Sequence, residues 1–228
     1  MRNFLEFGFC VFALAFTAEA DTLQLLTNGG FETGSLAGWT VTSSGGSLGM
    51  WLADNANFTP LTGNPTVGPA NGNWYAVTDQ FGPGVNALSQ AFIVPVGIIH
   101  VQWSFNMFVN DWGTDFTPGT QYVQALLLAN GTDPLTAVPI FSQVPGPPVL
   151  VTAGVPNPYL AYNFDITGLV TSGQTYQIDF LERDAAFPMN VGVDDVSVLA
   201  TTVPEPDSVA LLLSVLVTVG LGRRRRLM

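Results

Sequence analysis

The sequence predicts an all-β protein built as an antiparallel β-sandwich. Several segments alternate apolar and polar residues with a period of two, which is typical of strands with one buried face and one wet face. Clusters of glycine and proline separate these segments, and residues 21–202 contain no long helical period. The predicted strands are Trp74–Val77, Leu88–Val94, Ile99–Asn110, Tyr122–Leu128, Thr175–Glu182 and Val193–Leu199.

Residues 1–20 are predicted to be a cleavable signal peptide that does not belong to the fold. Arg2 precedes an apolar run over residues 7–16, and the segment ends in Ala18-Glu19-Ala20, the small-x-small pattern that signal peptidase cleaves. A short buried helix is the alternative interpretation. The only cysteine, Cys10, lies in this segment, so the processed domain 21–202 would contain no disulfide, thiol nucleophile or cysteine-based zinc site.

Charge is distributed unevenly along the chain. There are 17 acidic and 6 basic residues, and Arg183 is the only basic side chain between residues 21 and 203. A surface of this kind repels phosphate backbones and attracts cations. The composition therefore predicts that nucleic acid is not a partner.

Residues 203–228 are predicted to be a membrane-sorting tail. A proline-rich motif over 204–206 precedes an apolar run, which predicts a transmembrane helix over about 207–222, and four arginines follow. By the positive-inside rule the arginines stay in the cytoplasm and the domain lies outside. An ordinary tail anchor is the alternative. The residues of the predicted sorting signal are Pro204, Glu205, Pro206, Arg223, Arg224, Arg225 and Arg226.

A proline-rich motif, an apolar run and a cluster of arginines, in this order, resemble the PEP-CTERM sorting signal of Gram-negative bacteria. The resemblance implies recognition by an exosortase, a membrane cysteine protease that cuts near the motif. It implies an exported precursor that is anchored in the inner membrane with its domain in the periplasm. A cell-surface or extracellular-matrix form would follow. Signal peptidase, exosortase and extracellular polysaccharide are the expected partners, since such proteins commonly accompany exopolysaccharide production.

The ends of the domain resemble those of jelly-roll modules of the galactose-binding and carbohydrate-binding type. The sequence Asn-Gly-Gly-Phe-Glu at 28–32, followed by Gly38-Trp39, opens the domain. The sequence Val-Asp-Asp-Val-Ser-Val at 193–198 closes it, and Leu-Ser-Gln-Ala-Phe at 88–92 resembles an internal strand of these modules. The resemblance implies a jelly roll whose opening and closing strands lie side by side.

A structural calcium ion often joins these two strands in the resembling modules. The resemblance therefore implies a calcium site with ligands from Asn28, Gly29, Glu32, Asp194 and Asp195. Calcium takes six to eight oxygen ligands, which carboxylates and backbone carbonyls supply. Adjacent residues of a strand point to opposite faces, so only one of the two aspartates would bind directly. The alternative is that Glu32 caps a turn and both aspartates are solvated.

Asp111, Trp112 and Asp115 form a candidate sugar site. They lie in a predicted loop where an aromatic ring is flanked by hydrogen-bonding groups, the combination that sugars require. A purely structural loop is the favoured interpretation of these residues, and the sugar site is the weaker one. Trp103, by contrast, alternates with apolar neighbours and is predicted to lie in the core.

We expect no catalytic residues. The only histidine, His100, falls on the polar face of its strand, and no nucleophile elbow, zinc-protease motif or phosphate loop occurs. Asp111 with Asp115, or Asp179 with Glu182 and Asp184, could provide a carboxylate pair for glycan hydrolysis, but nothing separates them from the general acidity of the domain.

The sequence thus predicts a non-catalytic surface or matrix protein that binds glycan. The alternative is a secreted β-sandwich glycan hydrolase or lyase. A cleft with paired carboxylates of raised pKa would favour that alternative.

Overall fold

The computed structural model describes residues 20–112, 121–143, 154–185 and 189–203. Most of the predicted signal peptide, the loop residue Asp115 and the sorting tail beyond residue 203 lie outside these ranges, so the interpretations made for them stay predictions. None of the described segments forms an apolar helix long enough to cross a membrane. Residues 22–202 form one compact unit.

The described residues form two antiparallel sheets, which confirms the predicted β-sandwich. The strands are β1 (Thr22–Gln24), β2 (Thr40–Ser43), β3 (Gly49–Asp54), β4 (Tyr75–Gln80), β5 (Gly84–Ile93), β6 (Ile98–Asp111), β7 (Tyr122–Ala129), β8 (Phe141–Gln143), β9 (Leu160–Asp165), β10 (Thr175–Asp184) and β11 (Met189–Thr202). One sheet has the order β3-β4-β11-β6-β9, with β1 also paired to β11, and the other has the order β2-β5-β10-β7-β8. Most consecutive strands lie in different sheets, as in a jelly roll.

All six predicted strands are present, and each is longer than predicted. The alternation of apolar and polar residues in the sequence did not predict β1, β2, β3, β8 and β9. Four of these strands are largely exposed or half-buried along their whole length, so they carry little of the alternation that marks a half-buried strand. A single turn of 3₁₀ helix over Thr167–Leu169 follows β9.

The aromatic core lies between the two sheets. Trp103 and Phe105 of β6 face Phe180 of β10, with ring centroids 6.1 and 5.0 Å from that of Phe180. All three side chains are buried, which confirms the core position predicted for Trp103. Because β6 and β10 lie in different sheets, these contacts bind the two layers together.

A β-bulge in β11 changes which residues of this strand face the core. The register with β6 shifts between Asp194 and Ser197, and Asp195 has a φ of 52°. Aspartate tolerates this left-handed conformation better than most residues, and a bulge of one residue reverses the alternation of the strand. The core-facing residues are Val191 and Val193 before the bulge and Val196, Val198 and Ala200 after it.

The opening segment of the domain lies against this bulge. The Val196 amide donates to the carbonyl oxygen of Gly29 at 2.9 Å. A Cβ atom on Gly29 would overlap the carbonyl oxygen of Val196, so the close approach requires glycine. β1 continues the contact by pairing antiparallel with the end of β11. The predicted side-by-side arrangement of opening and closing strands is confirmed, and we call residues 27–32 and 194–196 the junction.

The internal motif at residues 88–92 connects the junction to the other sheet through hydrogen bonds of Gln90. Gln90 of β5 accepts the Thr27 amide N–H through Oε1 at 2.7 Å and donates from Nε2 to the Thr27 carbonyl at 3.0 Å. The side-chain amide thus pairs with the backbone of Thr27 as a neighbouring strand would. Leu88 and Phe92, on the same face of β5, fill the core.

Candidate functional site

Asn28 organises the turn that opens the domain. Its Nδ2 donates to the carbonyl oxygens of Ser35 and Ala37 at 2.8 and 3.1 Å, and its Oδ1 accepts the Thr33 amide N–H at 3.3 Å. The indole N–H of the buried Trp39 donates to the Asn28 carbonyl oxygen at 3.1 Å. The side chain of Asn28 is thereby engaged in holding its own loop.

Glu32 caps the turn that precedes β4. Its Oε1 accepts the backbone N–H groups of Asn73 and Trp74 at 2.9 and 3.0 Å. These two hydrogen bonds hold the pKa of Glu32 below its ordinary value, because they favour the ionised carboxylate. This is the capping role that the sequence left open as the alternative to metal binding.

Asp194 holds the neighbouring part of the same loop. Its Oδ2 accepts the backbone N–H groups of Ala70 and Asn71 at 2.9 and 3.1 Å. Burial raises its pKa to about 6, although the backbone amides act in the opposite direction. The alternative in which both aspartates are solvated is wrong, because Asp194 has no exposed surface. Asp195 is half-buried and accepts a hydrogen bond from Asn106 Nδ2 at 2.9 Å.

The predicted calcium ligands lie at the junction, but their oxygen atoms already have other partners. Glu32 and Asp194 accept amides of the 70–74 loop, and the Gly29 carbonyl accepts the Val196 amide. Among the described residues, no three His, Cys, Asp or Glu side chains are grouped to hold a metal ion. The calcium site at the junction stays a prediction.

The predicted sugar loop is described only in part. Asp111 ends β6 opposite Met189 and is buried, while Trp112 is half-buried. The indole N–H of Trp112 donates to Asn190 Oδ1 at 2.9 Å, so its polar edge is used within the domain. This contact favours the structural alternative for Trp112, whereas Asp115 lies outside the described residues.

His100 lies on the surface, as predicted. Its Nε2 is 3.7 Å from Oδ2 of Asp165, and both side chains are exposed. Such an exposed pair contributes little to stability.

The second predicted group of carboxylates, Asp179, Glu182 and Asp184, does not lie on one face of β10. Asp179 faces away from the aromatic core, whereas Glu182 and Asp184 continue the face of Ile178 and Phe180. The Asp179 carboxyl is buried and makes no hydrogen bond of good geometry with the described residues. Burial raises its pKa to about 8, repulsion from Asp133 adds to the effect, and the Phe180 amide opposes it.

Glu182 and Asp184 lie between the sheets at one end of the sandwich. Glu182 Oε1 accepts Gln80 Nε2 at 2.8 Å, and Glu182 Oε2 accepts Asn86 Nδ2 at 3.0 Å. Asp184 Oδ2 lies 3.2 Å from the same Gln80 nitrogen. Complete burial raises the pKa of Glu182 to about 8, the Gln80 and Asn86 amides oppose the shift, and the neighbouring Asp184 adds to it.

A surface depression of about 330 Å³ opens beside Asp184. Three turns or strand ends form it, at residues 44–47, 83–85 and 183–185. Serine and glycine residues of these turns line it, together with the exposed Arg183 and the buried Asp184. This depression is not predicted from the sequence, although the Ser-Gly-Gly-Ser turn at residues 44–47 and Arg183, the single basic residue of the domain, form part of it.

Comparison with known proteins identifies the fold and no family. No protein-family model matches the chain, and no curated protein matches it. The K1 cleaved adhesin domain of Lys-gingipain from Porphyromonas gingivalis W83 is 16% identical, with 78% of this chain and 97% of that domain covered at a TM-score of 0.51. The K3 domain of the same protein is 14% identical, with 77% and 97% covered at a TM-score of 0.51. This chain shares the fold of these two domains.

A third solved structure, TmCBM61 in complex with β-1,4-galactotriose, is 15% identical to this chain. The alignment covers 77% of this chain and 97% of that one, with a TM-score of 0.47.

Replacing Glu32 with glutamine is expected to lower the melting temperature of the protein in chelator. The amides of Asn73 and Trp74 lose an anionic acceptor, and hydrogen bonds to a charged group are the stronger ones. Circular dichroism melts of metal-free wild type and variant measure the change. A variant that melts like the wild type in chelator would show that Glu32 does not act by capping the turn.

The same melts, repeated in millimolar calcium, test the predicted metal site at the junction. Calcium there would raise the wild-type melting temperature, and Glu32→Gln would shrink the increase. If calcium leaves the wild type unchanged, the metal site at the junction is excluded.

The melting temperature in chelator should fall as pH rises from about 4 to 8. Asp179, Glu182 and Asp194 have raised pKa values in the folded state, so the folded protein keeps protons that the unfolded chain releases over this range. Asp179→Asn removes one carboxyl group with a raised pKa, so the melting temperature of this variant should decrease less between about pH 4 and 8. A wild-type melting temperature that is flat or rising between pH 5 and 8 would contradict these assignments.

Proposed function

We propose that this chain is an exported, non-catalytic β-sandwich protein that binds extracellular glycan in the depression at residues 44–47, 83–85 and 183–185. The observation that carries the proposal is the chemistry of the depression. Serine hydroxyls, exposed backbone and the exposed guanidinium group of Arg183 are groups that hydrogen-bond sugar hydroxyls. The matched gingipain domains are named as adhesin domains, and a role in adhesion agrees with this proposal.

An exposed aromatic ring stands in one of the turns that form the depression. Phe81 is 69% exposed and lies two residues before Pro83, which lines the wall. An aromatic ring beside hydrogen-bonding groups suits the apolar face of a sugar ring. The β4–β5 turn would therefore supply both the stacking surface and part of the polar wall.

A glycan hydrolase or lyase is the second candidate. Glu182, with its raised pKa, lies beside Asp184, which lines the depression. A glycosidase requires both carboxyl groups to reach the scissile bond. Glu182 has no exposed surface and its two oxygens bind Gln80 and Asn86, so the arrangement favours binding over catalysis.

Filling the depression should weaken glycan binding without unfolding the domain. A Cβ atom at Gly45 meets no other atom within 4 Å, so Gly45→Tyr adds a ring at the wall of the depression without a local clash. We expect the wild type to bind one or more polysaccharides on a glycan array. The variant should lose at least tenfold in affinity for them, a loss of about 1.4 kcal/mol.

Gly168→Tyr is the matched control, since Gly168 is also exposed, has equally open surroundings and does not line the depression. It should bind like the wild type. Equal binding by both variants would place the glycan site elsewhere, and depolymerisation of a bound polysaccharide by the wild type would favour the second candidate.

Export and sorting complete the proposal. The signal peptide over residues 1–20 would deliver the domain across the inner membrane, and the tail over residues 203–228 would hold it there for exosortase. The support for these steps is the sequence pattern at the two ends.

Deleting residues 223–228 should change the fate of the exported protein. Without the arginine cluster the tail loses its cytoplasmic anchor, so less protein should reach the surface in its processed form. Fractionation and mass measurement of wild-type and truncated protein provide the comparison. Identical amounts and masses at the surface would contradict the sorting role.

A further inference from the structure

One end of the sandwich is formed by three segments that contain no charged residue. They are the β5–β6 turn with its flanks, the stretch from the 3₁₀ turn to the start of β10, and the end of β11, at residues 93–99, 166–175 and 198–202. The Val94 amide donates to the Gln174 carbonyl oxygen at 3.0 Å, and Thr202 pairs with Ile98. These contacts bring the three segments together, and we call them the apolar end.

Large aliphatic side chains of the apolar end are exposed to solvent. Val96, in the β5–β6 turn, is 82% exposed, and Ile93 and Ile99 on either side of it are 64% and 52% exposed. Ile99 has no partner in the register of β6 with β11, which shifts at this point. Leu169 of the 3₁₀ turn is exposed as well. Exposed apolar groups gathered in one uncharged region indicate an interaction surface.

The chain leaves the domain at the apolar end. Thr202 is the last residue of β11, and the predicted transmembrane helix begins at about residue 207. Five residues extend by at most about 18 Å. With the tail anchored in the membrane, as proposed above, the apolar end therefore stays within this distance of the bilayer.

We propose that the apolar end rests on the lipid bilayer, with Ile93, Val96 and Ile99 inserted at the level of the lipid headgroups. The inference rests on the proposed membrane anchoring of the tail. Binding at this level increases with the apolar area buried, and an end without charges loses no hydration of ions there. Because a short tether gives a high effective concentration, a weak contact is sufficient.

The proposed contact does not depend on anionic lipid. The domain has one arginine and no lysine, and Arg183 lies at the depression. Attraction of basic residues to a negative lipid surface is therefore absent at the apolar end. The contact should form equally on neutral phosphatidylcholine.

This orientation directs the depression away from the membrane. β5 and β10 pair over their whole length, from Ile93 with Thr175 at the apolar end to Gly84 with Asp184 at the depression. Each strand has 10 residues, so the two ends lie about 30 Å apart. The proposed glycan site would therefore be presented to the extracellular side.

Quenching by nitroxide-labelled lipid tests the proposal on the full-length protein in phosphatidylcholine vesicles. Val96→Cys and Leu48→Cys, each in a Cys10→Ser background, provide a single cysteine for a bimane fluorophore. Leu48 is the matched control, since it is also an exposed aliphatic residue and follows Ser47 of the depression. Nitroxide phosphatidylcholine should quench the label at residue 96 and leave the fluorescence of the label at residue 48 unchanged.

Charges placed at the apolar end should abolish the quenching at residue 96. Ile93→Asp combined with Ile99→Asp changes two exposed side chains, so circular dichroism should show an intact fold. The carboxylates resist transfer into the bilayer and should move the label away from the lipid. Leu48→Asp, in the same labelled protein, should leave the quenching unchanged. Quenching that persists in a folded Ile93→Asp, Ile99→Asp protein overturns the proposal.

A carbonate wash of the vesicles separates failure of this inference from failure of the tail anchor. Protein that washes off has no anchor, which overturns the proposed sorting and this inference together. Protein that resists the wash while the label at residue 96 stays unquenched overturns this inference alone. A label that is shielded from aqueous iodide but not quenched by lipid would show that a second copy of the chain covers the apolar end, which also overturns it.

Discussion

The fold depends on the close contact between the opening glycine and the bulge of β11. The bulge reverses the alternation of β11, so its valines face the core on both sides of two adjacent aspartates. It also divides the free edge of β11, where β4 pairs before the bulge and β1 pairs after it. Gly29 occupies the gap between these two pairings through its hydrogen bond with Val196. Both ends of the domain are thereby held at a single point of the central strand.

A second constraint acts at the end of the sandwich where the aromatic core stops. Along the inner face of β10, Ile178 and Phe180 give way to Glu182 and Asp184. An apolar residue at the position of Glu182 would continue the core at lower electrostatic cost, because burying a carboxyl group is unfavourable. The polar interior lies directly behind the depression that carries the proposed glycan site.

The longer strands could be predicted because their own residues show which face is buried. β6 and β10 alternate along nearly their whole length, and even the inward position of Glu182 follows from the phase of Ile178 and Phe180. The partners of Glu182 could not be predicted, since Gln80 lies in the other sheet and meets it only through packing between layers. The depression was missed for the same reason, because three turns distant in sequence form it.

Hydrogen exchange at the junction tests the account most directly. The Val196 amide donates to Gly29, and the Thr27 amide donates to Gln90 of the opposite sheet. If the junction holds the fold together, these two amides exchange only when the whole domain unfolds, with the same free energy of opening as the core amide of Phe180. Exchange of Val196 and Thr27 through a local opening, at a free energy well below that of Phe180, would contradict the account.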